Sequence, residues 1–176
     1  MSLEQFRTKF GDGIRPNLYE VTGNFGGAAG AGNLTDGGQF LIKSAAVPSA
    51  SLGTITVPFR GTEIKRAGDR TFTDWTINVL CDEKMDIHNS FIAWSNSFLS
   101  LSSDRRGQGE GQPLAYADWT VTPKDNAGNN TRKFTLEGCW PIEVGTIDLS
   151  FDSTDAVAEF SVTIGFERWS YDGLRA

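Results

Sequence analysis

The chain has 176 residues, 39% of them hydrophobic, with five tryptophans and twelve phenylalanines, which supplies an aromatic-weighted core for a single domain spanning residues 1–176 and excludes a disordered or collagen-like chain. Its net charge of -6 and pI near 4.8 argue against gripping nucleic acid, since holding a phosphate backbone rests on a basic footprint that displaces counterions. No run approaches the roughly 18 consecutive apolar residues of a membrane span.

Residues 1–15 carry Glu4, Arg7, Lys9 and Asp12 and lack the apolar stretch of a secretory signal. Intracellular folding would keep Cys81 and Cys139 reduced, so both read as buried free thiols, with a disulfide as the alternative. A short strand is expected over residues 18–21, introduced by Arg15-Pro16-Asn17, where the proline ends whatever precedes it. Glycines at 23, 26, 27, 30, 32, 37 and 38 leave too little side chain for a packed element, so residues 23–38 read as a surface loop.

From Phe40 the two-residue period of half-buried strands sets in: Phe40 and Ile42, then Ile55, Val57 and Phe59, then Trp75, Ile77 and Val79. It returns with Phe134 and Leu136, then Ile147, Leu149 and Phe151, then Phe160, Val162, Ile164 and Phe166. Each set is expected to face one core, from antiparallel strands with one polar face. After Asp82 the period changes to helical, with Ile87, Phe91, Trp94 and Phe98 on one stripe. Asp82, Glu83 and Asp86 set acceptors and negative charge at the helix start, where free amides and the positive dipole end lie. Residues 102–111, rich in serine, glycine and charge, end it as a loop. The expected fold is mainly β (α+β), an antiparallel β-sandwich or small barrel plugged by one packed α-helix.

Catalytic and metal chemistry finds little to work with. His88 is the one histidine, a helix-surface residue by position, and no glycine-flanked serine of nucleophile-elbow type occurs. Two cysteines and one histidine do not make a four-ligand zinc site without carboxylates. Gly107-Gln108-Gly109-Glu110-Gly111 lacks the lysine and following hydroxyl of a phosphate loop. Asp148 with Asp152 is a pair that glycosidase chemistry can use, but carboxylates also keep a strand's outer face wet. Asn33-Leu34-Thr35 and Asn129-Asn130-Thr131 match the glycosylation pattern by chance if no secretory route exists. No catalysis, cofactor or metal is expected.

Three stretches together resemble the tail tube protein family of T-even-like contractile phages. They are Arg15-Pro16-Asn17-Leu18-Tyr19-Glu20-Val21, then Ala67-Gly68-Asp69-Arg70-Thr71-Phe72-Thr73-Asp74-Trp75, and Gly138-Cys139-Trp140-Pro141 through Val144-Gly145. An acidic turn, a helix with Phe91 and Trp94, and a last strand over 160–169 follow in the family's order. The glycine-rich stretch over 23–38 looks longer than the family's turn and departs from the pattern. The resemblance implies a structural virion protein, assembled in the host cytoplasm, that closes into hexameric rings. Rings would stack into the inner tail tube, a conduit for DNA that passes without tight binding. The implied partners are other copies of the chain, the tail sheath, and the baseplate and tail terminator proteins. Type VI secretion and bacteriocin-like tube subunits share the architecture and stand as alternatives. A carbohydrate-binding β-sandwich is the runner-up from another class, with Tyr116 or Trp119 as stacking platforms.

Polar residues alternate with the core sets: Asp74, Thr76 and Asn78; Asp148, Ser150 and Asp152; Glu159, Ser161 and Thr163. In a conduit such a face holds phosphate off the wall, and on an isolated domain it is a wet sheet face. Asp148, Asp152 and Glu159, with Glu137 as a fourth, are the expected lumen acids. Residues 57–67 read as a projecting hairpin whose Arg60, Glu63, Lys65 and Arg66 either pair across stacked rings or form a solvated tip.

Overall fold

A computed structural model describes residues 2–11, 13–27, 41–98, 115–152 and 154–172. The Gly107–Gly111 motif, Asn33 and most of the glycine-rich stretch lie outside them. In chain order the elements are α1 (Leu3–Phe10), β1 (Tyr19–Gly23), β2 (Ile42–Ala45), β3 (Ala50–Phe59), β4 (Thr62–Phe72), β5 (Trp75–Leu80), α2 (Asp86–Phe98), β6 (Ala117–Pro123), β7 (Phe134–Val144), β8 (Glu159–Gly165) and β9 (Arg168–Tyr171).

Every strand pairing is antiparallel, and the long strand β7 organises them. Its first half pairs with β6 and β9, and β1 adds to β6; its second half pairs with β8, which continues to β5 and β2. The change of partner happens at a bulge. Between the pairs Ala117–Cys139 and Trp119–Leu136, one residue of β6, Asp118, opposes two of β7, Glu137 and Gly138, and Gly138 takes a φ of 65° that suits glycine. The Asp118 carboxylate accepts from the Gly138 amide at 3.1 Å and fixes the bend. At the far edges the two halves meet through a side chain: the Tyr19 hydroxyl donates to the Ile42 carbonyl at 2.9 Å. The result is the β-sandwich or partly closed barrel with a packed helix that the periodicity implies.

Helix α2 lies on the inner face of this sheet, with Ile87, Phe91 and Trp94 buried. Asp82 starts it: its carboxylate accepts from the amides of Asp86 at 3.0 Å and Ile87 at 3.2 Å. Desolvation pushes this carboxyl's pKa upward, but those backbone hydrogen bonds outweigh it and hold the group below its usual value. The core is an aromatic cluster. Trp94 and Trp119 stack at 5.9 Å, and Phe25 and Phe91 meet edge to face at 5.1 Å. Each buried indole N–H has a carbonyl to donate to: Trp94 to Ala115 at 2.6 Å, Trp75 to Ala46 at 2.7 Å and Trp119 to Asn24 at 3.0 Å.

Three expectations need correction. Ile55, Val57 and Phe59 do not face the core, because among the described residues β3 pairs with β4 alone and the hairpin forms a sheet of its own, leaving them about half exposed. Residues 147–151 form no strand, since no ladder partner reaches them among the described residues, and Leu149 and Phe151 are exposed. The start of the expected glycine-rich loop is structure: Gly23 ends β1, and Phe25 is buried. Ahead of these elements stands helix α1, which Ser2 and Gln5 cap reciprocally.

Gly23 shows why a small residue stands at that point. A Cβ there would lie 2.3 Å from the Trp119 ring. Gly23→Ala is therefore expected to destabilise the fold by about 1 to 3 kcal/mol through overpacking, read as a lower urea midpoint at unchanged slope.

Candidate assembly surfaces

The described residues offer little to a small-molecule reaction. Burial pushes the Cys139 thiol up to about 12, and desolvation, then the neighbouring Asp82 charge, raises that of Cys81, so neither is a ready nucleophile. Both are free thiols. His88 is half-buried, with its ring edge-on to Phe160 at 5.0 Å, a packing role more than a surface one. No cluster of three metal-ligating side chains exists among the described residues, and no described helix is long and apolar enough to cross a membrane.

What the fold presents instead are extended surfaces. The first is the β3–β4 hairpin, longer than residues 57–67 and exposed along almost its whole length. Arg60 and Gly61, both at positive φ, make its two-residue turn, which matches the right-handed twist of the arms. Register places Ile55 beside Arg66, Val57 beside Ile64 and Phe59 beside Thr62, so one side of the ribbon carries an apolar stripe. The opposite side carries Thr54, Thr56, Glu63 and Lys65. Arg60 lies over the Phe59 ring, 5.4 Å from its centre.

The second surface is the outer face of β8–β5–β2. Asn78 opposes Ser161 and Thr76 opposes Thr163, and the Asn78 amide donates to the Ser44 hydroxyl at 2.9 Å. Thr76, Asn78 and Ser161 are exposed, while Trp75, Ile77, Val79, Phe160, Val162 and Ile164 alternate with them in the core. Hydroxyls and one amide make this wall. Asp74 precedes β5 and lies outside its ladder.

The four acids expected in one lining are not brought together. Glu159 opens β8 and is held by Lys43 at 2.5 Å. Asp148 shares a surface groove with Glu159, but it and Asp152 stand on the irregular β7–β8 segment, so the alternation that aligned them with a strand face does not exist. Glu137 belongs to the other half of β7, where Arg168 of β9 pairs with it at 2.6 Å. The stacking-platform reading loses one of its two residues, since Trp119 is fully buried. Tyr116 is 46% exposed, but its ring lies edge-on to Phe98 and Trp140.

A barrel-like sheet with a wet outer wall, a packed helix and a projecting hairpin suits a building block, and the likeness to known proteins is specific. The sequence model of phage tail tube proteins matches residues 5–172. The chain belongs to the phage tail tube protein family. The tail tube protein gp19 of Enterobacteria phage T4 is 32% identical over 161 residues, covering 90% of this chain and 92% of that protein. The tail tube protein of Serratia phage KSP90 is 26% identical over 157 residues, covering 89% and 88%. Among solved structures, the sheath/tube terminator of the extracellular contractile injection system PVC superposes with a TM-score of 0.64 at 14% identity, covering 90% and 95% of the two chains. The sheath-tube complex of the same system superposes with a TM-score of 0.57 at 14% identity, covering 99% of each. These two likenesses are of fold. The tail tube protein described here is thus a structural part of a phage tail, and so of the virion.

Proposed function

We propose that this tail tube subunit closes head to tail into hexameric rings, and that the rings stack into the inner tube of a contractile tail. The tube conducts DNA to the host cell without holding it and works by shape and charge, without catalysis. The whole chain, 1–176, serves as one tube unit, assembled in the host cytoplasm with the sheath around it and baseplate and terminator proteins at its ends.

One observation carries the reading: the β8–β5–β2 wall is polar on its outer face and open at both sides. Among the described residues β2 has a ladder partner on one side only, with the Tyr19 hydroxyl touching its other side at Ile42, and residues 141–144 of β7 pair with β8 alone. Unpaired strand edges are templates for another strand, and a closed rotation of identical subunits removes them without an endless ribbon in the ring plane. Such a ring sets the hydroxyl wall of Thr76, Asn78, Ser161 and Thr163 towards its bore, with Glu159 at the rim.

Microscopy of the purified protein tests this. Six-fold rings or stacked tubes are expected, and stable dimers or five-fold rings would defeat it. Featureless monomers would defeat it as well.

In the same reading, the hairpin with Arg60, Glu63, Lys65 and Arg66 joins successive rings and leaves ring closure alone. An isolated two-stranded ribbon with one apolar face is marginal in water, so a covering surface stabilises it. Lys65→Glu with Arg66→Glu is expected to leave rings intact and suppress tubes, more strongly at low salt, where screening is least. Normal tubes from this double variant would take the hairpin out of the interface.

A further inference from the structure

If the hairpin joins successive rings, it requires a receiving surface, and the other end of the sheet offers a candidate. The hairpin joins the end of β2 to the start of β5, where Trp75 pairs with Ile164. The β7–β8 segment joins Val144 to Glu159, and Glu159 pairs with Leu80, the other end of β5. At the strand rise of about 3.3 Å per residue the two features leave the sheet about 17 Å apart, at opposite ends.

Their chemistry is complementary. Residues 50–72 hold four basic side chains, Arg60, Lys65, Arg66 and Arg70, against two acids, Glu63 and Asp69. Residues 141–159 hold five acids, Glu143, Asp148, Asp152, Asp155 and Glu159, and no lysine or arginine. Of the cations at that end, Lys43 is already paired with Glu159, and Lys84 stands beside Glu83 in sequence. Both features also expose apolar side chains: Ile55, Val57, Phe59 and Ile64 on the hairpin, Leu149, Phe151 and Val157 on the segment.

A groove completes the receiving end. Cys81, Asp82, Glu83, Met85, Ile147 and Leu149 line a cavity of about 260 Å³ between the β5–α2 turn and the β7–β8 segment. Its lining is mostly apolar and includes the acid Glu83, and the hairpin tip presents an aromatic ring, Phe59, under a cation, Arg60.

We propose that the hairpin tip of one copy docks in this groove of the next copy along the tube axis. Phe59 lies against the apolar lining, Arg60 meets Glu83 beside it, and Arg66, on the same side of the ribbon as Phe59, faces Asp148 and Asp152, while Lys65 adds positive charge from the other side. The proposal rests on the hairpin's role in stacking and names what it stacks on. A basic knob at one end and an acidic socket at the other make a heterologous contact, which repeats without closing and so yields a tube of open length. It also gives Asp148 and Asp152 a role off the lumen wall, consistent with their place on an irregular segment. Like charges across a wrong pairing would oppose docking, so polarity is fixed along the axis.

Two charge-reversed proteins test it. One carries Lys65→Glu and Arg66→Glu, the other Asp148→Lys and Asp152→Lys, and native mass spectrometry with thermal melting checks that each still forms folded rings. Each alone is expected to lose pelletable tubes. Mixed as preformed rings, they are expected to regain tubes of alternating composition, because the acidic hairpin of one meets the basic segment of the other and the two parental surfaces meet in turn. Tubes from the Asp148→Lys, Asp152→Lys protein alone, or a mixture that stays as rings while the hairpin variant lacks tubes, would overturn the docking site and leave hairpin stacking in place. Normal tubes from the hairpin variant alone would overturn both. If lysine at 148 and 152 prevents ring formation, Asp148→Asn with Asp152→Asn keeps the test: shorter tubes at low salt are expected, and parental length would overturn the site.

Discussion

Trp94→Ala is expected to cost about 3 to 5 kcal/mol of subunit stability, the range for truncating a large aromatic side chain in a core that cannot collapse around the gap. Trp94 is fully buried, stacks on Trp119 at an interplanar angle of 14°, and lies within ring contact of Phe25 and Phe91. Removing it takes a partner from three other aromatic rings and leaves the Ala115 carbonyl without the indole N–H that reaches it at 2.6 Å. Trp94→Phe separates these effects. It keeps most of the ring contact and loses the hydrogen bond, so its cost should fall well below that of alanine. Urea titration of the subunit under conditions that prevent assembly is the measurement, because ring formation adds stability by mass action and would mask the loss. A Trp94→Ala protein that unfolds at the parental midpoint would mean that α2 does not anchor the core.

How far the sequence reaches depends on what a pattern measures. The sets 75/77/79 and 160/162/164 alternate, and both face the core, since β5 and β8 are neighbours in one ladder. The set 55/57/59 alternates just as cleanly, yet its apolar face belongs to a ribbon that its own domain does not cover. Periodicity reports that a strand has an apolar side, and it is silent on which surface covers that side. At 147/149/151 the alternation has no ladder behind it, and only Ile147 packs against the core. Helix α1 has only a short local signal: Ser2 and Gln5 at capping-box spacing before Phe6 and Phe10 at i and i+4. Gly23 and Gly138 look alike as letters, but one makes room for a tryptophan ring and the other permits a bulge, distinctions that need the partner strand. Glu137 and Glu159 were grouped by alternation alone. Each turned out to have a cation beside it, Arg168 and Lys43, that sequence distance concealed.

Turning the hydroxyl wall basic is the change with the largest expected effect on DNA passage. Thr76 and Asn78 are both exposed on β5, two residues apart, and so point to the same side of the sheet. Thr76→Lys with Asn78→Lys places two ammonium groups per subunit on that side, and in the proposed stacked rings symmetry would turn them into a continuous basic lining. Each lysine that meets a phosphate displaces condensed counterions, so the DNA is held with an affinity that falls steeply as salt rises. Folding should survive, because neither side chain is buried and the core residues Trp75, Ile77 and Val79 are untouched. The lost Asn78 to Ser44 hydrogen bond is exposed and costs little. Assembled particles are expected to eject DNA at least about tenfold more slowly at low salt and to recover towards the parental rate as salt is raised. Thr76→Gln with Asn78→Gln controls for side-chain bulk, because it adds length without charge, and it should eject at close to the parental rate. Equal slowing by the glutamine and lysine variants would mean constriction in place of charge. Parental ejection from tubes that carry both lysines would place the β8–β5–β2 face away from the bore, leaving the ring proposal to be built on the opposite half of the sheet.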